Sequence, residues 1–259
     1  MIPIKSKTER DAMRVAGRVA AEVLEEACNF VRPGVSTLEI DEYAAGLIKQ
    51  KGVKSAFLGY RGYPCNICIS VNEEIVHGLA SDRRLQFGDI VSLDCGVQVD
   101  GFIGDTARTV SVGSCSLEVQ KLIDVTREAL YDGISCALPG NHVKDISRAV
   151  QNRVEANGFS VVREFVGHGV GRVVHEEPQI PNFVGAGATP KLKAGMALAI
   201  EPMVNIGTAA IKQMRDGWTV IARDGRPSAH QEHTVLVTEG EPEILTCLET
   251  AALKPKAAS

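Results

Sequence analysis

Four acidic residues stand where strands ought to be apolar, and one histidine sits inside a glycine loop. The segment Ile90-Val91-Ser92-Leu93-Asp94-Cys95-Gly96 reads as a half-buried strand with a carboxylate near its end. Asp105 follows eleven residues on, beyond a turn marked by Asp100-Gly101. A turn centred on Val99-Asp100 sets Asp94 directly opposite Asp105. A turn centred on Asp100-Gly101 sets Asp94 opposite Ala107, with Asp105 as its diagonal neighbour on the same face. Both registers bring the two carboxylates together, and two ionised carboxylates so close repel unless a proton or a cation lies between them. For either residue alone, a solvated structural aspartate is the plain alternative.

Gly167-His168-Gly169-Val170-Gly171 follows a strand, and His175-Glu176-Glu177-Pro178 lies seven residues beyond His168. Glycines let the backbone approach closely around an imidazole. A phosphate loop would look similar, but the lysine and hydroxyl signature of such loops is absent. Ala199-Ile200-Glu201-Pro202-Met203-Val204 puts a glutamate inside an apolar strand, and Glu232 stands likewise at the start of the last strand. Unpaired glutamates are rarely buried there, so each implies a partner or a metal. Together, two Asp, two Glu and one His at strand ends suit a hydrolytic site holding two divalent ions.

The elements that must carry these residues come in two similar halves. Apolar residues at helical spacing run over 8–31 and stop at Pro33-Gly34; Ser36 or Thr37 can cap a second helix through Lys51, closed by Gly52. Helical runs return over 117–137, ending at Pro139-Gly140, and over 143–157, ending at Gly158. The Pro-Gly pairs lie 106 residues apart, as do Gly52 and Gly158, Leu24 and Leu130, and Ile40 and Ile146. Strand-like segments follow each helix pair: 65–71, 90–98 and 102–112 in the first half, and 160–165, 197–204, 218–223 and 234–238 in the second. The order ααβββ, twice, predicts an α+β fold in which helices cover one face of a mostly antiparallel sheet. We expect a single catalytic domain over 1–259, with pseudo-symmetric halves of about 1–112 and 113–253, and only a short linker-like tail at 254–259.

Composition narrows the function. With 259 residues, 44% hydrophobic and 23% charged, the chain can bury a core without disulfides, and its net charge of −4 supplies no global field for nucleic acid or anionic membrane. No run approaches a membrane span, and the first residues lack the apolar stretch of a signal peptide, so the protein is expected to stay in the cytoplasm. Seven scattered cysteines do not make a disulfide framework. Cys65-Asn66-Ile67-Cys68 has no second CxxC to complete a zinc site, and reduced thiols are the expectation.

Asp94, Asp105, His168, Glu201 and Glu232 match the five metal ligands of the pita-bread metallopeptidases. The surrounding segments Met13-Arg14-Val15-Ala16-Gly17, Leu58-Gly59-Tyr60, Gly62-Tyr63-Pro64, Gly101-Phe102, Gly104-Asp105-Thr106, Ile200-Glu201-Pro202-Met203-Val204, Asp216-Gly217-Trp218-Thr219 and Glu232-His233-Thr234 resemble type I methionine aminopeptidases along nearly the whole chain. The resemblance implies the pita-bread fold and hydrolytic release of the initiator methionine from nascent proteins, with a small second residue preferred. It implies two divalent ions (Co²⁺, Mn²⁺, Fe²⁺ or Zn²⁺). Asp94 would hold one ion through both oxygens, Asp105 and Glu232 would bridge, and His168 with Glu201 would complete the second site. His175 would contact the scissile carbonyl and His77 the peptide nitrogen, while Glu201 would relay a proton to the leaving amine. Tyr60, Tyr63, Cys68 and Trp218 would wall the methionine pocket. The partners implied are N-terminal peptides at the ribosome, met by a monomer; no nucleic-acid or membrane partner is implied. Short N-terminal sequence looks bacterial or organellar in type. Aminopeptidase P and prolidase, the related enzymes, usually carry a further N-terminal domain, and a non-catalytic member would have lost ligands. Three positions depart from the pattern: Val174 stands where an aromatic is usual, Phe57 where cysteine is frequent, and Gln231 where Tyr or Phe is familiar.

Overall fold

A computed structural model of the chain describes residues 2–248, so the tail at 254–259 lies outside the described residues. The first half runs α1 (Lys7–Phe30), α2 (Thr37–Gln50), β1 (Lys54–Ser55), β2 (Cys68–Val71), β3 (Glu74–Val76), β4 (Ile90–Val99) and β5 (Phe102–Ser111). The second runs α3 (Leu117–Ser135), α4 (Val143–Ala156), β6 (Ser160–Val161), β7 (Gly167–Gly169), β8 (Glu176–Ile180), β9 (Ala197–Ile200), β10 (Met203–Asn205), β11 (Ile211–Gln213), β12 (Val220–Ala222), β13 (Ser228–His230), β14 (Glu232–Leu236) and β15 (Glu243–Ile244). Each half opens on two helices, as the sequence predicts, and α2 and α4 begin and end at the same offset of 106 residues. Both halves carry more strands than the three and four segments read from the pattern. The additional ones are two to five residues long, too short for alternation to register in sequence.

Local chemistry starts the helices where it should. Ser6 and Ser36 each accept from the backbone of the third helical residue, whose glutamate, Glu9 or Glu39, returns a bond to the cap. Ser36 is thus the cap of α2, and Thr37 its first residue.

Every strand pairing among the described residues is antiparallel. A nine-stranded sheet runs β1-β4-β5-β14-β9-β7-β8, with β2 beside β4 and β15 beside β14; two three-stranded sheets, β13-β10-β6 and β11-β12-β3, flank it. Alternation along the strands separates its faces. Leu93, Cys95 and Val97 of β4 pack into a core with Leu24, Ala27, Ile40 and Ala44 from α1 and α2. Leu198, Ile200 and Val235 pack with Leu130, Ile134 and Ile146 from α3 and α4. The residues between them, Asp94 on β4, Ala199 on β9 and Glu232 on β14, point the other way. Both helix pairs therefore cover one face and leave the opposite face to the site. Gly104 lets α1 lie close on β5: a Cβ there would meet the Ala16 carbonyl oxygen at 2.4 Å.

The expected strand over 197–204 is broken. β9 ends at Ile200 in the large sheet, and β10 starts at Met203 in a small one. Opposite it, β13 ends at His230 and β14 starts at Glu232. One register holds on both sides of the break, Ile200↔His233 and Met203↔His230, so Glu201 and Glu232 stand at the same level of the two strands. Pro202 has no N–H to give to a ladder, and the two carboxylates are like charges on adjacent strands. The ladder opens there.

Candidate metal centre and its pocket

The β4–β5 hairpin turns on Asp100-Gly101 and pairs Asp94 with Ala107 and Gly96 with Asp105. Of the two registers the sequence allowed, this is the one that makes Asp105 a diagonal neighbour of Asp94. Ala107 also pairs with Glu232 on its other side, so Asp94, Ala107 and Glu232 form a row across β4, β5 and β14. Hydrogen bonds lock that row. Thr234 Oγ1 donates to the Asp105 carbonyl at 2.8 Å, and Thr106 Oγ1 donates to the Glu232 carbonyl at 2.9 Å.

His168 comes from β7, which pairs His168 with Ala199 of β9. A Cβ at Gly169 would meet the Glu177 carbonyl oxygen at 2.1 Å, so glycine is what lets β8 pass. His168 Nδ1 lies 2.9 Å from the Gly169 carbonyl oxygen, which can only accept; the ring proton therefore sits on Nδ1 and the Nε2 lone pair faces inward. Ligand atoms of Asp105, His168 and Glu232 all lie within 4.8 Å of one another. Glu201 joins them with Oε1 at 3.3 Å from His168 Nε2, and Asp94 closes the far side.

Charge and burial say what this group needs. Burial drives the carboxyls of Asp94, Glu201 and Glu232 well above the usual carboxylate range, with neighbouring carboxylates adding to the shift, and burial alone pushes Asp105 up to about 7. Asp94 Oδ1, Asp105 Oδ1 and Glu232 Oε1 are buried without a hydrogen-bond partner. Burial also lowers His168 to about 3, leaving it neutral and able to ligate. Four crowded carboxyls, three of them with a buried oxygen left unpartnered, and one neutral imidazole fit divalent cations. All five sequence-predicted metal ligands meet here.

Above them lies a cavity of about 290 Å³ whose lining includes all five together with His77, His175, Tyr60, Tyr63, Cys68 and Trp218. Every sequence-predicted site residue reaches it. Tyr63 is buried, donates to the Gly78 carbonyl at 2.7 Å, and meets the Trp218 ring edge-on at 5.1 Å. Burial raises the Cys68 thiol well above its usual range, so the wall it forms is uncharged. His77 has φ of 59°, a left-handed conformation uncommon for a side chain other than glycine, and sits edge-on to Phe165 at 5.4 Å. Burial lowers His77 to about 4; burial and then the Arg61 charge lower His175.

The three departures separate in space. Phe57 and Val174 both line the cavity, with the Phe57 ring lying over Gly96. Gln231 does not: it is buried beside Thr109, Arg108 and His233, away from the cavity. Gln231, whose effect the sequence left open, therefore does not shape the cavity wall. Sequence reasoning passed over three residues. Phe165 supports His77. Asp41, inside α2, accepts from Asn66 N at 2.8 Å, Asn66 Nδ2 at 2.9 Å and Ile67 N at 3.0 Å, fixing the segment before Cys68. His230, 2% exposed, faces Glu201; the available signal was a histidine two residues before a buried glutamate. Cys65 and Cys68 are free thiols.

Residues 11–239 match the sequence profile of metallopeptidase family M24. The chain is 50% identical over 249 residues to methionine aminopeptidase of Clostridium perfringens, covering 96% of this chain and 100% of that one. It is 48% identical over 246 residues to methionine aminopeptidase 1 of Bacillus subtilis, covering 95% and 99%. The fold superposes on the crystal structure of methionine aminopeptidase from Thermotoga maritima with a TM-score of 0.93 at 44% identity, over 95% of this chain and 99% of that one. Prolidase from Pyrococcus furiosus also shares the fold, with a TM-score of 0.78 at 25% identity, but only 66% of its chain is covered.

Proposed function

Because the chain belongs to metallopeptidase family M24 and has methionine aminopeptidase function, we propose that Asp94, Asp105, His168, Glu201 and Glu232 hold two divalent cations on the floor of the pocket. The pita-bread fold, built of mixed helices and antiparallel sheet, is shared with the methionine aminopeptidase and prolidase structures. Asp94 would help hold one cation and His168 with Glu201 the other, while Asp105 and Glu232 would serve both. Bound there, the cations offset the carboxylate charge, polarise the scissile carbonyl and make a water acidic near neutral pH.

The protein's own groups do the rest. Methionine's side chain enters between Tyr60, Tyr63, Cys68 and Trp218, an apolar and polarizable enclosure in which each sulfur–ring contact contributes about 0.3–1.5 kcal/mol. His175 donates to the carbonyl oxygen as charge gathers on it. His77 faces the peptide nitrogen. Glu201 takes the proton released by the water and passes it to the leaving amine. A short second residue suits a cavity that His77 and His175 both line.

The observation that carries this reading is the set of buried, unpartnered oxygens of Asp94, Asp105 and Glu232 beneath that pocket. Digestion of Met-Ala-Ser and Xaa-Pro-Gly peptides with and without chelator tests it. Release of methionine that stops on chelation and returns with metal is expected; cleavage of the proline peptide alone would replace the reading with a prolidase. Mn²⁺, Fe²⁺, Co²⁺ and Zn²⁺ all suit one imidazole among oxygens.

We read 1–259 as one catalytic domain, because strands of both halves join in one nine-stranded sheet through the β5–β14 pairing. By likeness to bacterial methionine aminopeptidases, the chain is read as a cytoplasmic monomer acting on nascent N-termini at the ribosome. No helix among the described residues is long and apolar enough to cross a membrane.

A further inference from the structure

The Glu201 carboxylate lies between two imidazoles. His168 Nε2 is 3.3 Å from Oε1, and His230 Nε2 is 3.6 Å from Oε2. His230 is 2% exposed, lines the cavity, and its Nε2 has no hydrogen-bond partner. Its backbone cannot drift. His230 N donates to Thr109 Oγ1 at 2.8 Å, Thr109 Oγ1 donates back to the His230 carbonyl at 2.8 Å, and β13 pairs His230 with Met203. An imidazole held this firmly and left with an empty nitrogen has one acidic group in front of it.

We propose that His230 is a positioning residue for Glu201: its Nε2–H donates to Oε2, which leaves Oε1, on the His168 side, turned toward the metal centre. The arrangement is the carboxylate–imidazole support that orients ligating groups in metal sites generally, here with the carboxylate as ligand and the imidazole as its brace. His230 meets the carboxylate at Oε2, the oxygen that does not face His168, which favours a brace over a direct ligand. The present 3.6 Å closes by a few tenths of an ångström to reach a hydrogen bond of about 2.7–3.2 Å. Because one carboxylate oxygen is pinned, the other presents one orientation for holding a cation and for handling a proton. The proposal rests on the reading of Glu201 given above.

The test compares His230→Gln, whose amide N–H can stand in for Nε2–H, with His230→Leu, which has no donor, and with Glu201→Gln. Calorimetric Mn²⁺ affinity, nitrogen couplings in the spin-echo spectrum of the Mn²⁺-loaded protein, and kcat and KM on Met-Ala-Ser are measured on each. Expected is a loss of about 10- to 100-fold in Mn²⁺ affinity and kcat for His230→Leu. KM should be little changed, His230→Gln should recover most of the loss, and nitrogen couplings should be identical in all His230 forms. If His230→Leu does not fold, His230→Met supplies the same comparison. A nitrogen coupling lost with His230 would make it a ligand and overturn the proposal, as would wild-type affinity and kcat in the apolar variants, or a His230→Gln as impaired as His230→Leu. Wild-type affinity and kcat in Glu201→Gln would instead overturn the reading of Glu201 itself.

Discussion

Tyr60 Oη lies 2.9 Å from His175 Nδ1, across 115 residues of sequence, with the two rings stacked at 5.5 Å. When the phenol donates, the His175 proton resides on Nε2, the nitrogen free to meet a substrate carbonyl. The residue read as a pocket wall thus also sets the tautomer of a residue read as a donor.

Tyr60→Phe should therefore keep methionine binding and lower kcat. The ring remains, and the hydrogen bond is worth about 0.5–1.5 kcal/mol, or roughly 2- to 12-fold in rate. Steady-state kinetics on Met-Ala-Ser decide it: a raised KM at unchanged kcat would mean that the phenol serves only binding.

Removing metal should reverse the pH dependence of stability. Asp105 is raised to about 7, burial raises Asp94, Glu201 and Glu232 well above the usual carboxylate range, and burial lowers His168 and His230 to about 3 and His77 to about 4. A carboxyl with a raised folded pKa binds more protons folded than unfolded, so it contributes stability at low pH that is lost as pH rises through the folded value. The depressed histidines act oppositely, but their contribution is complete above their unfolded pKa of about 6.5. From about pH 6.5 upward, the metal-free protein should lose Tm with each step, and the Mn²⁺-loaded protein should not. Parallel curves in thermal scans over about pH 6.5–8.5 would show that the carboxylates are not held apart by cations.

Glu232→Ala should lose metal and turnover together, because Glu232 would serve both cations. His77→Ala and His175→Ala should instead keep metal content and lose roughly 10²-fold in kcat, the scale of a missing acid–base or oxyanion contact. Metal analysis beside kinetics separates the two classes. A His175→Ala protein short of metal would remove His175 from its assigned role.

Phe57 and Val174 line one cavity, so their substitutions should not add. Val174→Phe overpacks the pocket by about 1–3 kcal/mol, and Phe57→Cys loosens it. The double variant should recover much of kcat/KM, with a coupling of about 0.5–3 kcal/mol. Strict additivity in this cycle would show that Phe57 does not compensate for Val174.

Asp94, Asp105, Glu201 and Glu232 were legible in the sequence because a carboxylate in an apolar strand conflicts with its surroundings, and His168 because it stands in a glycine loop; both signals are local. The helix pairs were legible too, since periodicity and the Pro-Gly stops need only a dozen residues to show. The hairpin offered two registers, and only the ladder itself chose the turn at Asp100-Gly101. The break at Glu201-Pro202, the Tyr60–His175 bond and the place of Gln231 outside the cavity were beyond reach for the same reason. Each depends on which strand lies beside which, and pairing between distant segments is set by the packing of the whole sheet. His230 shows the boundary most plainly: its sequence neighbours give it the look of an ordinary strand end. Its buried, unpartnered nitrogen exists only because β10 and β13 carry it to the edge of the Glu201 carboxylate.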